Sequence, residues 1–216
     1  MYVPRANEET RVEVMHALIR AHPLGTWTLL DGDDLVTNHV PFLLDAARGP
    51  LGTLVGHVAR ANPVWRAPAS AVRSVVSFQG PQAYVTPSWY ASKREHGKVV
   101  PTWNYAVVHV RGVPRFVHDR AWLHEHVSRL SDAHEAAERV PWAVADAPDD
   151  YVERMLGAIV GVEVPVDRLL GKWKVSQNRS AEDRAGVVAG LRERGDHASA
   201  GLAVAPDSEE DDAVSG

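Results

Sequence analysis

Between Phe78 and Tyr105 the chain sets Tyr84, Trp89, Tyr90, Trp103 and Tyr105 around a short basic run carrying Lys93, Arg94 and Lys98. Aromatic rings gain from burial, whereas the cations require an anion or water. Two arrangements meet both demands. One is a site for a flat ligand with a charged tail. The other is a pair of strands with aromatic core faces joined by a solvated loop.

A second concentration lies at Lys172, Trp173, Lys174, Gln177, Asn178 and Arg179. In an extended backbone Trp173 and Val175 share one face and Lys172 and Lys174 the other. Such a strand suits a ring wall flanked by anion contacts. It equally suits a terminal strand with a core tryptophan and solvated cations.

Histidine occurs 11 times. His124 and His126 fall two apart on an expected helix, roughly 200° around it, so they do not share a face as paired metal ligands would. HExxH, GxSxG, GxGxxG and GxxxxGK[ST] are all absent, which argues against a zincin, an α/β-hydrolase nucleophile, a dinucleotide fold and a phosphate loop. No dedicated metal site and no catalytic residue is expected. The chain has no cysteine, so disulfides, thiolate metal sites and cysteine nucleophiles are excluded.

The elements that must position these residues are mostly strands. Apolar and β-branched runs at 25–30, 35–44, 51–58, 71–80, 81–90, 99–112 and 113–119 are separated by Gly-, Asp- and Pro-bearing turns such as DGDD and ARGP. Pro41 lies inside one of them and cannot donate to a ladder, which points to an edge, a bulge or a place where a ligand meets the backbone. Helices are expected from an Asn7 cap to about His22, from an Asp119 cap to about Glu138, and from about Pro148. Residues 161–175 return to strand. A last helix starts at Ser180, with Asp183 placed as a capping-box acid. Closely spaced short strands argue for a barrel or sandwich.

With 216 residues, 45% of them hydrophobic, the chain can bury one sizeable core. The formal charge is −5, and the five acids Asp207, Glu209, Glu210, Asp211 and Asp212 account for all of it. The body is therefore neutral and offers no strong electrostatic footprint for DNA. Residues 1–196 read as a single domain and 197–216 as an acidic, disordered tail. No apolar signal core and no apolar span of about 20 residues appears, so a soluble, cytoplasmic protein without a membrane partner is expected.

The stretch 78–105, together with NHVPFLLD (38–45), GHVARANPVW (56–65) and GKWKVSQNR (171–179), resembles the PaiB-type family of FMN-binding negative transcriptional regulators, with the blocks in the same order. The resemblance implies a mainly β (α+β) fold: a split β-barrel of about six to seven antiparallel strands with peripheral helices, related to the pyridoxamine-phosphate-oxidase-like flavoproteins. It also implies a homodimer with FMN as cofactor, held by the strand pair 38–44 and 54–60. Asn38, His39, Val40 and Pro41 are then expected beside the ring, and His57 and Arg60 near the phosphate. Trp173 and Arg179, with Lys174 beside them, match residues that complete the pocket from the partner subunit in the wider group. The segment 180–194 carries mixed charge and is not an evident DNA-recognition helix, so direct DNA contact is left open. Two further classes stay beside repression. One is a flavin reductase or pyridoxamine-phosphate-type oxidase, or a haem-binding or haem-degrading protein with His39 or His57 as ligand. The other is an interaction module with no cofactor.

Overall fold

The structure is a computed structural model that describes residues 1–66 and 74–204. In chain order it contains β1 (Glu8–Glu9), α1 (Val12–Ala21), β2 (Leu24–Asp31), β3 (Asp34–Pro41), β4 (Leu43–Asp45), β5 (Thr53–Ala59), β6 (Ser74–Val85), α2 (Ser92–Glu95), β7 (Thr102–Gly112) and β8 (Arg115–Val117). Then come α3 (Arg120–Glu135), α4 (Asp149–Gly157), β9 (Ile159–Pro165), β10 (Arg168–Lys174), α5 (Ala181–Glu193) and α6 (His197–Ala203). One sheet has the order β1-β10-β7-β6-β2-β3 and the other β4-β5-β9-β8. The chain divides into two compact units. One is made of residues 11–78 and 108–170, the other of 1–10, 79–107 and 171 onward.

In the first unit, β2 and β3 form a hairpin paired from Leu24↔Pro41 to Asp31↔Asp34. Its two-residue loop places Gly32 at φ +62°, a conformation that glycine adopts without steric cost. β3 is a sheet edge, and Pro41 closes it where a missing N–H costs nothing, as the sequence suggested. β5 and β9 pair in antiparallel register, Leu54↔Val164 through Ala59↔Ile159, and β9 is covered on its other side by β8. Both are nearly continuous apolar runs because they are buried on both faces. Trp27, Phe42, Phe78, Val76 and Val160 are the centre of this core, with Phe42 and Phe78 meeting edge-on at 6.2 Å.

In the second unit α5 and α6 close over a cluster of Val85, Tyr90, Val187, Leu191, Ala200 and Ala203. Trp89 lies flat against α5, where a Cβ on Gly190 would come within 2.2 Å of its ring, and Arg194 covers it at 4.3 Å. Ser180 caps α5 through the Asp183 N–H, as expected. The Asp183 carboxylate does not complete a capping box, however. It accepts instead from Ser92 N at 3.0 Å and Ser92 Oγ at 2.7 Å, tying α2 to α5. Replacing Asp183 with alanine strands both donors, and a loss of about 2 kcal/mol in urea-unfolding free energy is expected.

Other expectations are corrected. α1 starts at Val12, not after Asn7, which ends a short 3-10 turn leading into β1. The runs 71–80 and 81–90 are not two strands. β6 continues through Gly80 and Pro81, beyond its Ser74–Ser77 pairing with β2, so the proline interrupts no bond to that strand. The expected single strand 161–175 is two, β9 and β10, broken at Val166–Asp167. Residues 197–203, assigned to the tail, form α6, because Ala200 and Ala203 have an apolar cluster to join. The remaining acidic residues lie outside the described part, as do residues 71–73 of the expected strand.

Candidate functional site

The edge hairpin and β5 frame a recess of about 290 Å³ whose lining includes Asn38, His39, Val40, His57, Asn62 and Ile159. Alternation along β3 buries Val40, half-buries Asn38 and exposes His39. Asn38 Oδ1 accepts from Asn62 Nδ2 at 2.6 Å, and Asn62 Oδ1 in turn accepts from Val64 N at 3.0 Å. Asn38 Nδ2 is buried and has no protein partner. A buried N–H donor without an acceptor is costly, and this one belongs to a residue lining a cavity.

His57 is the one partly exposed residue in the otherwise buried run Thr53–Val58. Its Nδ1 lies 3.0 Å from Nε2 of His126, a residue only 3% exposed on α3. Trp122 stacks on His126 with ring centroids 5.3 Å apart, and its Nε1 donates to Glu163 at 3.1 Å. Arg48 then grips Glu163 through two bonds of 2.7 and 2.9 Å. Gly161, opposite His57 in the β5–β9 register, leaves the space that the Trp122 ring fills. Burial pushes His57 below its ordinary value, and burial, with His57 and Arg129 nearby, pushes His126 down to about 4. Both imidazoles are therefore neutral at pH 7. The Arg48 guanidinium holds the Glu163 carboxyl below the usual carboxylate range despite its burial.

His126 is the residue that sequence reasoning missed. Its spacing from His124 shows no shared face, but its spacing from Trp122 is i, i+4, and the two rings stack. That pair was the available signal.

Arg60 does not line the recess. Its Nε donates to Gly157 O at 2.7 Å and its Nη2 to Ile159 O at 2.8 Å, which secures the carbonyl end of α4. Its own carbonyl accepts from Trp65 Nε1. Two of its five N–H groups are thus spent inside the fold. Pro41 also lies outside the recess lining, so the structure gathers Asn38, His39, Val40 and His57 there.

Trp173, Lys174 and Arg179 belong to the second unit. Lys174 Nζ donates to Thr102 Oγ1 and to Trp103 O, and burial lowers its ammonium. Lys172 sits 5.3 Å from the centre of the Tyr105 ring, and Arg179 sits 4.6 Å above Tyr90. Trp173 is half-buried, and its carbonyl accepts from the Gln177 amide. The turn that follows forces Ser176 to φ +68°, held by hydrogen bonds between its hydroxyl and the buried Asn104 amide. Of Tyr84, Trp89, Tyr90, Trp103 and Tyr105, Tyr90 is the buried one. Trp103 and Tyr84 stand half-exposed, edge-to-face at 6.1 Å, and the basic run is α2 plus a turn at Gly97.

No helix among the described residues is long and apolar enough to cross a membrane, and no group of three or more His, Asp or Glu is arranged to hold a metal ion there. The chain is 35% identical to an uncharacterised protein of Emericella nidulans, over 90% of this chain and 92% of that one. It is 29% identical to the protease synthase and sporulation protein PAI 2 of Bacillus subtilis, over 89% of each. Its fold matches that of a FAD and haem binding protein from Mycobacterium smegmatis with a TM-score of 0.57, at 18% identity, over 83% of this chain and 79% of that one. The fold is the mainly β split-barrel type expected from the sequence. A family described as "Putative FMN-binding domain" matches residues 1–168, which contain the whole Asn38–His57 recess and stop short of Trp173. The chain belongs to that FMN-binding domain family, and within it is PaiB-like.

Proposed function

We propose that this protein is an FMN-binding negative transcriptional regulator that takes the flavin against the Asn38–His57 recess. The observation that carries the flavin reading is the buried, partnerless Asn38 Nδ2 in the wall of a recess inside the family match. A flavin's pyrimidine edge presents acceptors that would satisfy it, and Val40 and Ile159 offer apolar surface to a ring. The residues fit the ring better than the phosphate. His57 is neutral, and Arg60 keeps only its uncommitted N–H groups for an anion. When bound, FMN supplies redox chemistry that the side chains lack. The chain's own part is to orient the ring through Asn38 and Asn62 and to shield it with Val40 and Ile159.

The regulatory half is supported by the sequence blocks shared with PaiB-type proteins and by the similarity to PAI 2. A homodimer, with Trp103 and Tyr84 at the interface, is part of this proposal, since two half-exposed aromatic rings on adjacent strands suit a partner surface. A gel-shift assay with genomic fragments at a stated salt concentration, with and without FMN, tests repression by direct contact. Sequence-specific retardation is the expected result; absent or sequence-independent retardation contradicts it.

A flavin-dependent oxidoreductase is the second reading. It is favoured by the His57–His126 pair at the recess, which can hold a proton beside a redox ring. Bleaching of bound flavin by NADH or NADPH, with turnover, would select it.

A further inference from the structure

On the far side of His57 lies a second recess of about 270 Å³, framed by α3, α4 and the 142–147 segment. His57 and Ile159 line both recesses and so form a wall common to the two. The second differs in chemistry from the first. Val127, Val144, Val152 and Leu156 make it apolar, and Trp142, Tyr151 and Met155 stand at 45–47% exposure around it. Three large apolar side chains left open to water around one concave opening are a pattern of ligand sites. The aromatic and thioether groups favour a flat ring.

We propose that this recess binds a small, flat, uncharged molecule carrying one hydrogen-bond acceptor, which His57 meets with its Nε2–H. The proton assignment follows from the hydrogen bonds. His126 Nδ1 is buried without a partner, and an orphaned N–H is rarer than an orphaned acceptor. The His126 proton therefore sits on Nε2 and is donated to His57 Nδ1 across 3.0 Å. The His57 proton is then on Nε2, as a donor. Among the described residues His57 has no carboxylate partner, and burial lowers its pKa, so the recess offers no cation to an anionic ligand. An aryl ketone or aryl amide matches the size, the walls and the donor. The recess shares His57 and Ile159 with the wall proposed for the flavin, while the rest of its lining is separate from Asn38, His39 and Val40.

Acetophenone and ethylbenzene share a shape and differ in the carbonyl acceptor, which makes them the probes. Ligand-observed NMR titrations of the full chain at pH 7.5 should show saturable binding of acetophenone, about fivefold tighter than that of ethylbenzene, the difference a single hydrogen bond makes. His57→Phe should remove that preference. Val152→Trp, which fills the recess, should abolish binding of both while leaving the circular dichroism spectrum unchanged. If His57→Phe does not fold, the wild-type preference for acetophenone still decides. Equal affinity for the two probes, no saturable binding, or undiminished binding to the folded Val152→Trp variant would overturn the proposal.

Discussion

Lowering the pH from 6.5 to 4 is expected to remove about 3 kcal/mol of folding stability through His126 alone. The residue is 3% exposed and its pKa in the fold is about 4, against 6.5 for an ordinary histidine. Burial is the main cause, followed by His57 and by the charge of Arg129. Because the folded value lies below the unfolded one, the unfolded chain takes up a proton first as the solution is acidified. The contribution is therefore whole above pH 6.5, declines between 6.5 and 4, and is gone below 4. His57 and His109 are pushed the same way by burial, so the share belonging to His126 is read from a difference. Glu163 is lowered from its ordinary value of 4.5, so its contribution starts to fall near pH 4.5 and overlaps only the acid end of the window, where the same difference between wild type and variant removes it. Urea unfolding at pH 7, 6, 5 and 4 should show a steep loss in the wild type and a much shallower one in His126→Phe, which keeps a ring for Trp122 to stack on. Parallel profiles for the two proteins would mean that His126 is not held neutral by the fold.

Gly161→Ala is the substitution expected to do most damage for its size. An added Cβ would stand 2.2 Å from Cζ3 of Trp122, with two more ring carbons within 2.9 Å. The indole cannot yield cheaply. Its N–H is bonded to Glu163, its ring lies on His126, and its own backbone N–H is bonded to the Asp119 cap at 2.8 Å. Relief requires either bending β9 away from β5 or surrendering those contacts, and a loss of about 3 kcal/mol follows, at the upper end for overpacking. Because His126 stacks on the displaced ring, the acid sensitivity between pH 6.5 and 4 should shrink in the same variant. Gly201→Ala is the control, since nothing lies within 4 Å of its Cβ position on α6. It should be neutral or slightly stabilising. A Gly161→Ala protein within 0.5 kcal/mol of wild type would show that Trp122 is not packed as described.

What the sequence made legible was local. The Asp119 and Ser180 caps, the Gly32 turn and the edge position of Pro41 each rest on a residue whose chemistry acts within a few positions of itself. What it hid depends on distant partners. Asp183 resembles a capping-box acid until Ser92, far away in the chain, takes its carboxylate. Arg60 resembles a free anion anchor, yet two of its five N–H groups go to the carbonyls of Gly157, at the end of α4, and Ile159, at the start of β9. The break at Val166–Asp167 is stabilised by bonds to Gly52 O and Arg111 O, neither of which is near in sequence. Of the candidate site, Asn38, His39, Val40 and His57 came from a family resemblance. Their hydrogen-bonding state, and His126 behind them, came only from the fold.

The central claim is that the Asn38–His57 recess takes a flavin, and a visible absorption titration of the protein with FMN tests it most directly. Freshly purified protein should show peaks near those of free FMN, or the apo-protein should take up FMN stoichiometrically and saturably. Asn38→Leu, which removes the unpartnered donor, should weaken that binding roughly tenfold. Because it also leaves Asn62 Nδ2 without its acceptor, a loss of about 1 kcal/mol in unfolding free energy should accompany it. Wild-type protein that carries no flavin and cannot be reconstituted with FMN would contradict the account.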